Sequence, residues 1–135
     1  MTDWLCGDDL APSTAGALEP LFEAAARGEL AMPFCAACGA VLELEQVVCD
    51  ACGGGVTWRT VERCGSVHAS TLVHRLEPGL LRATAPYPVL DVELASGHRL
   101  VMTTLVATSD LPAVGAPVTV GFRTIGGVAV PGAGT

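Results

Sequence analysis

Four cysteines in two close pairs are the residues best placed for chemistry. The chain reads Cys35-Ala36-Ala37-Cys38-Gly39, then Cys49-Asp50-Ala51-Cys52-Gly53, with ten residues between the pairs. Two residues between cysteines let one tight turn offer two sulfurs to one ion, and the two turns together supply the four ligands of a tetrahedral site. Glycine after each pair allows backbone conformations that a side chain resists, so amides can turn toward sulfur. Cys35, Cys38, Cys49 and Cys52 are therefore the expected metal ligands, with Zn2+ as the expected ion. A rubredoxin-type iron site uses the same ligand set, and spacing alone does not separate the two. A thioredoxin-like redox motif would need a single CxxC opening a helix after a strand. Four thiolates leave no open position for water, so the expected role is structural.

The other titratable groups form no comparable set. Cys6 and Cys64 read as free structural cysteines, with a fifth ligand or a reactive thiol as the alternative. His68 and His74 would share one face of an unbroken strand, more simply a solvated face than a proton-handling pair. His98, beside Gly97, is expected to be exposed. Tyr87 between Pro86 and Pro88 is a rigid loop aromatic, either a barrel plug or a partner contact. Arg75 and Arg82 could hold a phosphate or serve as ordinary surface charge. Gly53-Gly54-Gly55 reads as a joint, because a phosphate loop would need a following Lys and a helix. No nucleophile stands with a base and an orienting group, so no independent catalysis is expected.

The elements that must position the cysteines come next. A short helix is expected at 19–27, with Pro20 at its first position and Gly28 as its stop. Leu18, Leu21, Phe22 and Ala25 fall on one face, which either covers a core or docks on a partner. Residues 33–58 form the metal module. Beyond it, Val-, Thr- and Leu-rich runs are divided by Gly and Pro. They predict strands at 57–61, 67–73, 89–94, 100–107 and 118–122, with a short end piece at 128–130. Ser96 and Gly97 mark a tight hairpin. Leu90, Val92 and Leu94 alternate with Asp91 and Glu93, the pattern of a half-buried strand. The expected fold is mainly β: an N-terminal short helix, a rubredoxin-like zinc ribbon, then a five-stranded OB-fold barrel. A small sandwich is the competitor. The expected boundaries are a flexible leader at 1–17, the helix region at 18–32, the ribbon at 33–58, the barrel at 59–130 and a frayed tail at 131–135.

Composition narrows the functional classes. The formal charge is −7 in 135 residues, and all seven basic residues are scattered arginines. Four bound thiolates and a dication would bring the charge to about −9. Such a chain is repelled by phosphate backbones, and it lacks the basic groove and stacking platform of single-strand binders. No nucleic acid is expected as a partner. No apolar run reaches the roughly 18 residues of a membrane span, so no membrane is expected either. Residues 1–12 lack a basic start and an apolar stretch, which makes a cytoplasmic location the expectation. There, paired cysteines favour metal over disulfides.

These stretches together resemble the DUF35 family, the zinc-ribbon OB-fold proteins. The resemblance rests on the helix region 18–30, on Phe34 and the first knuckle, and on the second knuckle followed by Trp58. It continues through Gly65-Ser66-Val67-His68-Ala69-Ser70-Thr71 and Ala85-Pro86-Tyr87-Pro88 with Asp91-Val92-Glu93-Leu94 and Gly97, and ends at Gly115 with Val118 and Val120. It covers residues 18–123. The chain departs from the pattern at Arg63, where the family often has glycine. Members are usually small, non-catalytic partners of thiolase-like enzymes acting on acyl-CoA, including thiolases, acyltransferases and steroid side-chain aldolases. The resemblance thus implies an accessory subunit in a hetero-oligomer with a thiolase-like enzyme, stabilising it or shaping its substrate entrance. A stand-alone acyl-CoA binding module is the second reading.

Overall fold

Two antiparallel strands carry the four-cysteine loop on their ends. A computed structural model describes residues 2–135. Strand β1 (Leu30–Cys35) pairs with β2 (Val56–Val61), with Leu30 opposite Val61 and Cys35 opposite Val56. The run at 57–61, expected as the first barrel strand, is therefore the return strand of the ribbon. Its partner reads weakly as a strand because Pro33 interrupts it. A two-stranded sheet has only edges, so a missing ladder donor there is tolerated. The stem is also no appendage: Leu30 and Met32 are buried, and Trp58 and Val61 pack against the main core.

The barrel has five strands: β3 (Cys64–Val73), β4 (Tyr87–Leu94), β5 (Arg99–Met102), β6 (Pro117–Ile125) and β7 (Val128–Gly134). Their order is β5-β4-β3-β6-β7, with every neighbouring pair antiparallel. The expected count holds, but its membership shifts by one strand. Leu90, Val92 and Leu94 point into the core with Val67, Leu100, Met102, Val118 and Val120, as alternation requires. A bulge between Val67 and Ala69 breaks the alternation of β3 at His68. His74 lies beyond the end of β3, so the two histidines do not share an unbroken strand face.

The last residues close the barrel. Residues 131–135 are not a frayed tail, because β7 runs to Gly134 and Ala133 is buried. Ala133 donates to Thr103 O at 2.8 Å and accepts from Leu105 N at 2.9 Å, joining the two edge strands. The Pro-Gly-Ala-Gly composition serves a close approach. Gly121 and Gly132 face each other across β6 and β7, and Leu105 packs into the notch they leave. A β-carbon on Gly121 would stand 2.8 Å from Leu105 Cδ1. Gly121→Ala is expected to cost about 1 kcal/mol through overpacking. In a double-mutant cycle monitored by urea unfolding, much of that cost should vanish in the Leu105→Ala background.

Helix α1 (Glu19–Ala26) has Pro20 in its first turn. Gly28, at φ +75°, ends it: Gly28 N donates to Ala25 O and Glu29 N to Ala24 O, the paired bonds of a Schellman motif. Leu21, Ala24 and Ala25 are buried, and the helix packs on β1 and β7. Its apolar face covers the core of its own chain.

The first residues of the expected leader, Asp3 to Cys6, are held against the barrel; Met1 lies outside the described residues. Asp3 is buried and makes a two-pronged bond to Arg123, at 2.9 and 2.6 Å. Trp4 Nε1 donates to Thr104 O at 2.9 Å. Cys6 bridges to Leu81, and Arg82 donates to the carbonyls of Asp3 and Cys6.

Candidate metal centre

Each cysteine pair sits on the same backbone turn, used twice. Cys35 N donates to Ala40 O and Gly39 N to Cys35 O; Cys49 N donates to Gly54 O and Gly53 N to Cys49 O. Gly39 and Gly53 both take positive φ, at 76° and 75°. Gly54 serves sulfur packing: a β-carbon there would stand 2.7 Å from Cys35 Sγ. The three glycines at 53–55 thus belong to the second knuckle and are not a joint. Gly55 O also accepts from Ala36 N at 2.8 Å, tying the second knuckle to the first.

The four Sγ atoms all lie within 4.8 Å of one another. Cys35 and Cys52 sulfurs are 3.4 Å apart, and those of Cys38 and Cys49 are 3.7 Å apart. These distances are far beyond a disulfide bond of about 2.05 Å. They are close to the ~3.8 Å edge of a sulfur tetrahedron with a central bond of about 2.3 Å. Cys35 and Cys49 are buried while Cys38 and Cys52 are exposed. Leu42, Ala40 and Val56 back the buried pair.

The electrostatics suit a cation. The Cys38 amide, 3.4 Å from Cys35 Sγ, leads the effects that bring the Cys35 thiol down to about 6. The Gly54 amide also favours a Cys52 thiolate. The neighbouring Cys35, Cys38 and Cys49 sulfurs outweigh it and push Cys52 up to about 12. Ionising one sulfur thus opposes ionising the next, and a dication among them would relieve the conflict. The donor set is soft, four-fold and closed, which suits Zn2+ and offers no open position for substrate.

The remaining candidates lie elsewhere. Cys6 is in the leader. Cys64 opens β3, exposed, with its thiol pushed up by Glu62 3.5 Å away. Tyr87 meets Trp4 edge-on at 6.5 Å between ring centroids. The arginines are engaged within the chain. Arg75 pairs with Glu77, Arg82 with Asp8, Arg27 with Glu29, Arg99 with Asp91 and Arg123 with Asp3. Arg63 donates to Val120 O, and Arg59 lies over the Phe34 ring.

His98 corrects the expectation of an exposed side chain. It is 3% exposed, with Nε2 2.7 Å from Pro33 O and Nδ1 2.8 Å from Ser96 Oγ. Its ring meets Phe34 edge-on at 4.9 Å. It therefore pins the β4–β5 hairpin to the strand that leads into Cys35. The only sequence signal was Ser96 two residues earlier, a hydroxyl able to fix one ring nitrogen. His98→Ala is expected to cost about 1–3 kcal/mol, because it removes this bond and leaves Ser96 Oγ without its partner. Denaturant unfolding would measure it, with the loss concentrated at the ribbon–barrel contact in hydrogen exchange.

Known proteins place this architecture. No curated protein sequence matches the chain. Residues 58–123 match the ChsH2 C-terminal OB-fold domain family. Among solved structures, a chain of the Ltp2-ChsH2(DUF35) aldolase is similar over 91% of this chain and 97% of its own, with a TM-score of 0.78 and 25% identity. With a zinc-ribbon-type cysteine cluster ahead of a nearly closed five-stranded barrel, the chain is similar in architecture to DUF35 OB-fold proteins.

Proposed function

We propose that the protein is a non-catalytic accessory subunit of a thiolase-like enzyme acting on acyl-CoA, and that its four cysteines hold one structural Zn2+. The observation that carries the reading is the near full-length similarity to a chain of the Ltp2-ChsH2(DUF35) aldolase. The chain's own chemistry agrees with a supporting role. Its one cluster of metal-type ligands is a closed four-sulfur set among the described residues. Its histidines are separately placed: His98 is tied to Pro33 and Ser96, while His68 lies 4.0 Å from Glu93 on the barrel surface. In this role Zn2+ holds the ribbon's shape, and Cys35, Cys38, Cys49 and Cys52 bind and orient it. The barrel stabilises the partner or shapes its substrate entrance.

The test is an affinity pull-down of tagged protein from its own source lysate, with mass spectrometry of what is retained. A thiolase-like protein recovered in near-equal amount, with activity that depends on this chain, is the expected result. Recovery of the chain alone would overturn the stable-complex reading. Metal analysis of the purified chain should give one zinc per chain; iron in its place would overturn the zinc assignment.

A further inference from the structure

The loop between the two knuckles presents valines that its own chain leaves bare. Val41, Val47 and Val48 are 45%, 60% and 55% exposed, while Leu42 between them and the stem is buried. The loop is braced. Gln46 Oε1 accepts from Glu43 N at 3.0 Å, Gln46 Nε2 donates to Val48 O at 2.9 Å, and Gln46 N donates to Glu43 O at 3.0 Å. One side chain thus ties both ends of the turn and holds the valines outward. A rigid apolar surface loses little entropy when it is covered.

Charge says what could cover it. Residues 36–54 contain no Lys, Arg or His, but they contain Glu43, Glu45 and Asp50. All three carboxylates are exposed and none is in an ion pair among the described residues. Glu43 and Glu45 also line a groove of about 530 Å³, whose other wall is Gly97, His98 and Arg99. Arg99 is neutralised there by Asp91, so the groove keeps an acidic character. A second copy of this loop would bring three carboxylates against three. Phosphate backbones and anionic membranes would be repelled in the same way. A protein surface with an apolar seat rimmed by Lys or Arg meets both features, with a basic side chain reaching between Glu43 and Glu45.

We infer that the ribbon tip, with Val41, Val47 and Val48 inside the acidic rim of Glu43, Glu45 and Asp50, docks on such a basic-rimmed apolar surface of the partner enzyme. This inference rests on the accessory-subunit reading and adds the surface and the partner's chemistry to it. It also gives the metal its purpose: the two knuckles hold the ends of the docking loop.

The experiment measures binding of the purified chain to its co-purifying thiolase-like enzyme by biolayer interferometry. The variants are Glu43→Lys with Glu45→Lys, Val47→Ser with Val48→Ser, and Asp110→Lys on a distant loop as the control. Each must first show the zinc content and circular dichroism of the parent. The charge-reversed pair is expected to bind about tenfold or more weakly, mainly through slower association. The parent's affinity should fall as salt rises from about 50 to about 500 mM, and that dependence should flatten in the charge-reversed pair. The valine pair should lose about tenfold through faster dissociation, with its salt dependence kept. Parent-like binding by both pairs would overturn the docking surface while leaving the accessory-subunit reading intact. No binding by the parent would overturn both. Self-association of the parent that the variants abolish would overturn the inference in favour of a second copy.

Discussion

Cys49→Ala is expected to remove stoichiometric metal from the protein and to unfold the ribbon tip while the barrel persists. The tip has almost no core of its own. Its buried cluster is Cys35, Leu42 and Cys49, with only Ala40 and Val56 against it. A module this small cannot offset chain entropy by apolar burial. In comparable sites metal coordination supplies about 10–16 kcal/mol of apparent folding free energy, and a missing thiolate forfeits much of it. The stem behaves differently, because Leu30, Met32 and Trp58 are anchored in the main core. Hydrogen exchange should therefore show lost protection across residues 36–55, with protection kept in β4 and β6. Metal analysis should fall from one equivalent to near none. A Cys64→Ala control should leave both readouts unchanged, since Cys64 lies outside the cluster. Full metal retention by Cys49→Ala would refute the assigned ligand set.

The second large effect concerns the clasp between Asp3 and Arg123. Their side chains are 1% and 8% exposed, so this pair differs in kind from the surface pairs. Asp3 also accepts from the Leu5 and Cys6 amides, at 3.1 and 2.7 Å. Asp3→Ala leaves a guanidinium buried without its counter-charge, and is expected to cost about 3–5 kcal/mol. Replacing both residues with apolar ones of similar size should recover most of that loss. The pH dependence follows from the carboxyl. Burial alone would raise its pKa, but Arg123 and the Cys6 amide outweigh burial and hold it below the ordinary 3.8. A depressed acid pKa contributes stability that is fully present above the unfolded value and is lost as pH falls through the folded one. Stability curves of the parent and Asp3→Asn should therefore run parallel above the ordinary carboxyl range and converge below it. Trp4, hydrogen-bonded to Thr104 O, would report release of the leader by fluorescence.

What the sequence made legible tracks how local each cause is. The four-cysteine cluster could be read because both cysteines of a pair belong to one turn. The β4–β5 hairpin could be read because alternation and Gly97 are neighbours in sequence. The helix ended at Gly28 for a reason visible in one residue. The clasp could not be read, since 120 positions separate its partners. The second half of β7, beyond the end piece read at 128–130, was hidden because Pro131, Gly132 and Gly134 carry the composition of a loose end. The smallness of the two glycines is used instead against Leu105, a contact that only the closed barrel creates. The same holds for His98, whose partner carbonyl on Pro33 is 65 residues away.

The seam between Thr104 and Ala133 also sets an order of events during synthesis. The cysteine turns lie within residues 35–55 and can come together as soon as that stretch has left the ribosome. The barrel cannot shut until residues 128–134 have been added, and until then β6 carries an open edge. Long-range pairing of this kind is slow, and unpaired edges invite association with other chains. A nascent chain would thus pass through a stage with a finished cysteine head and an unfinished body, when chaperones have most to protect.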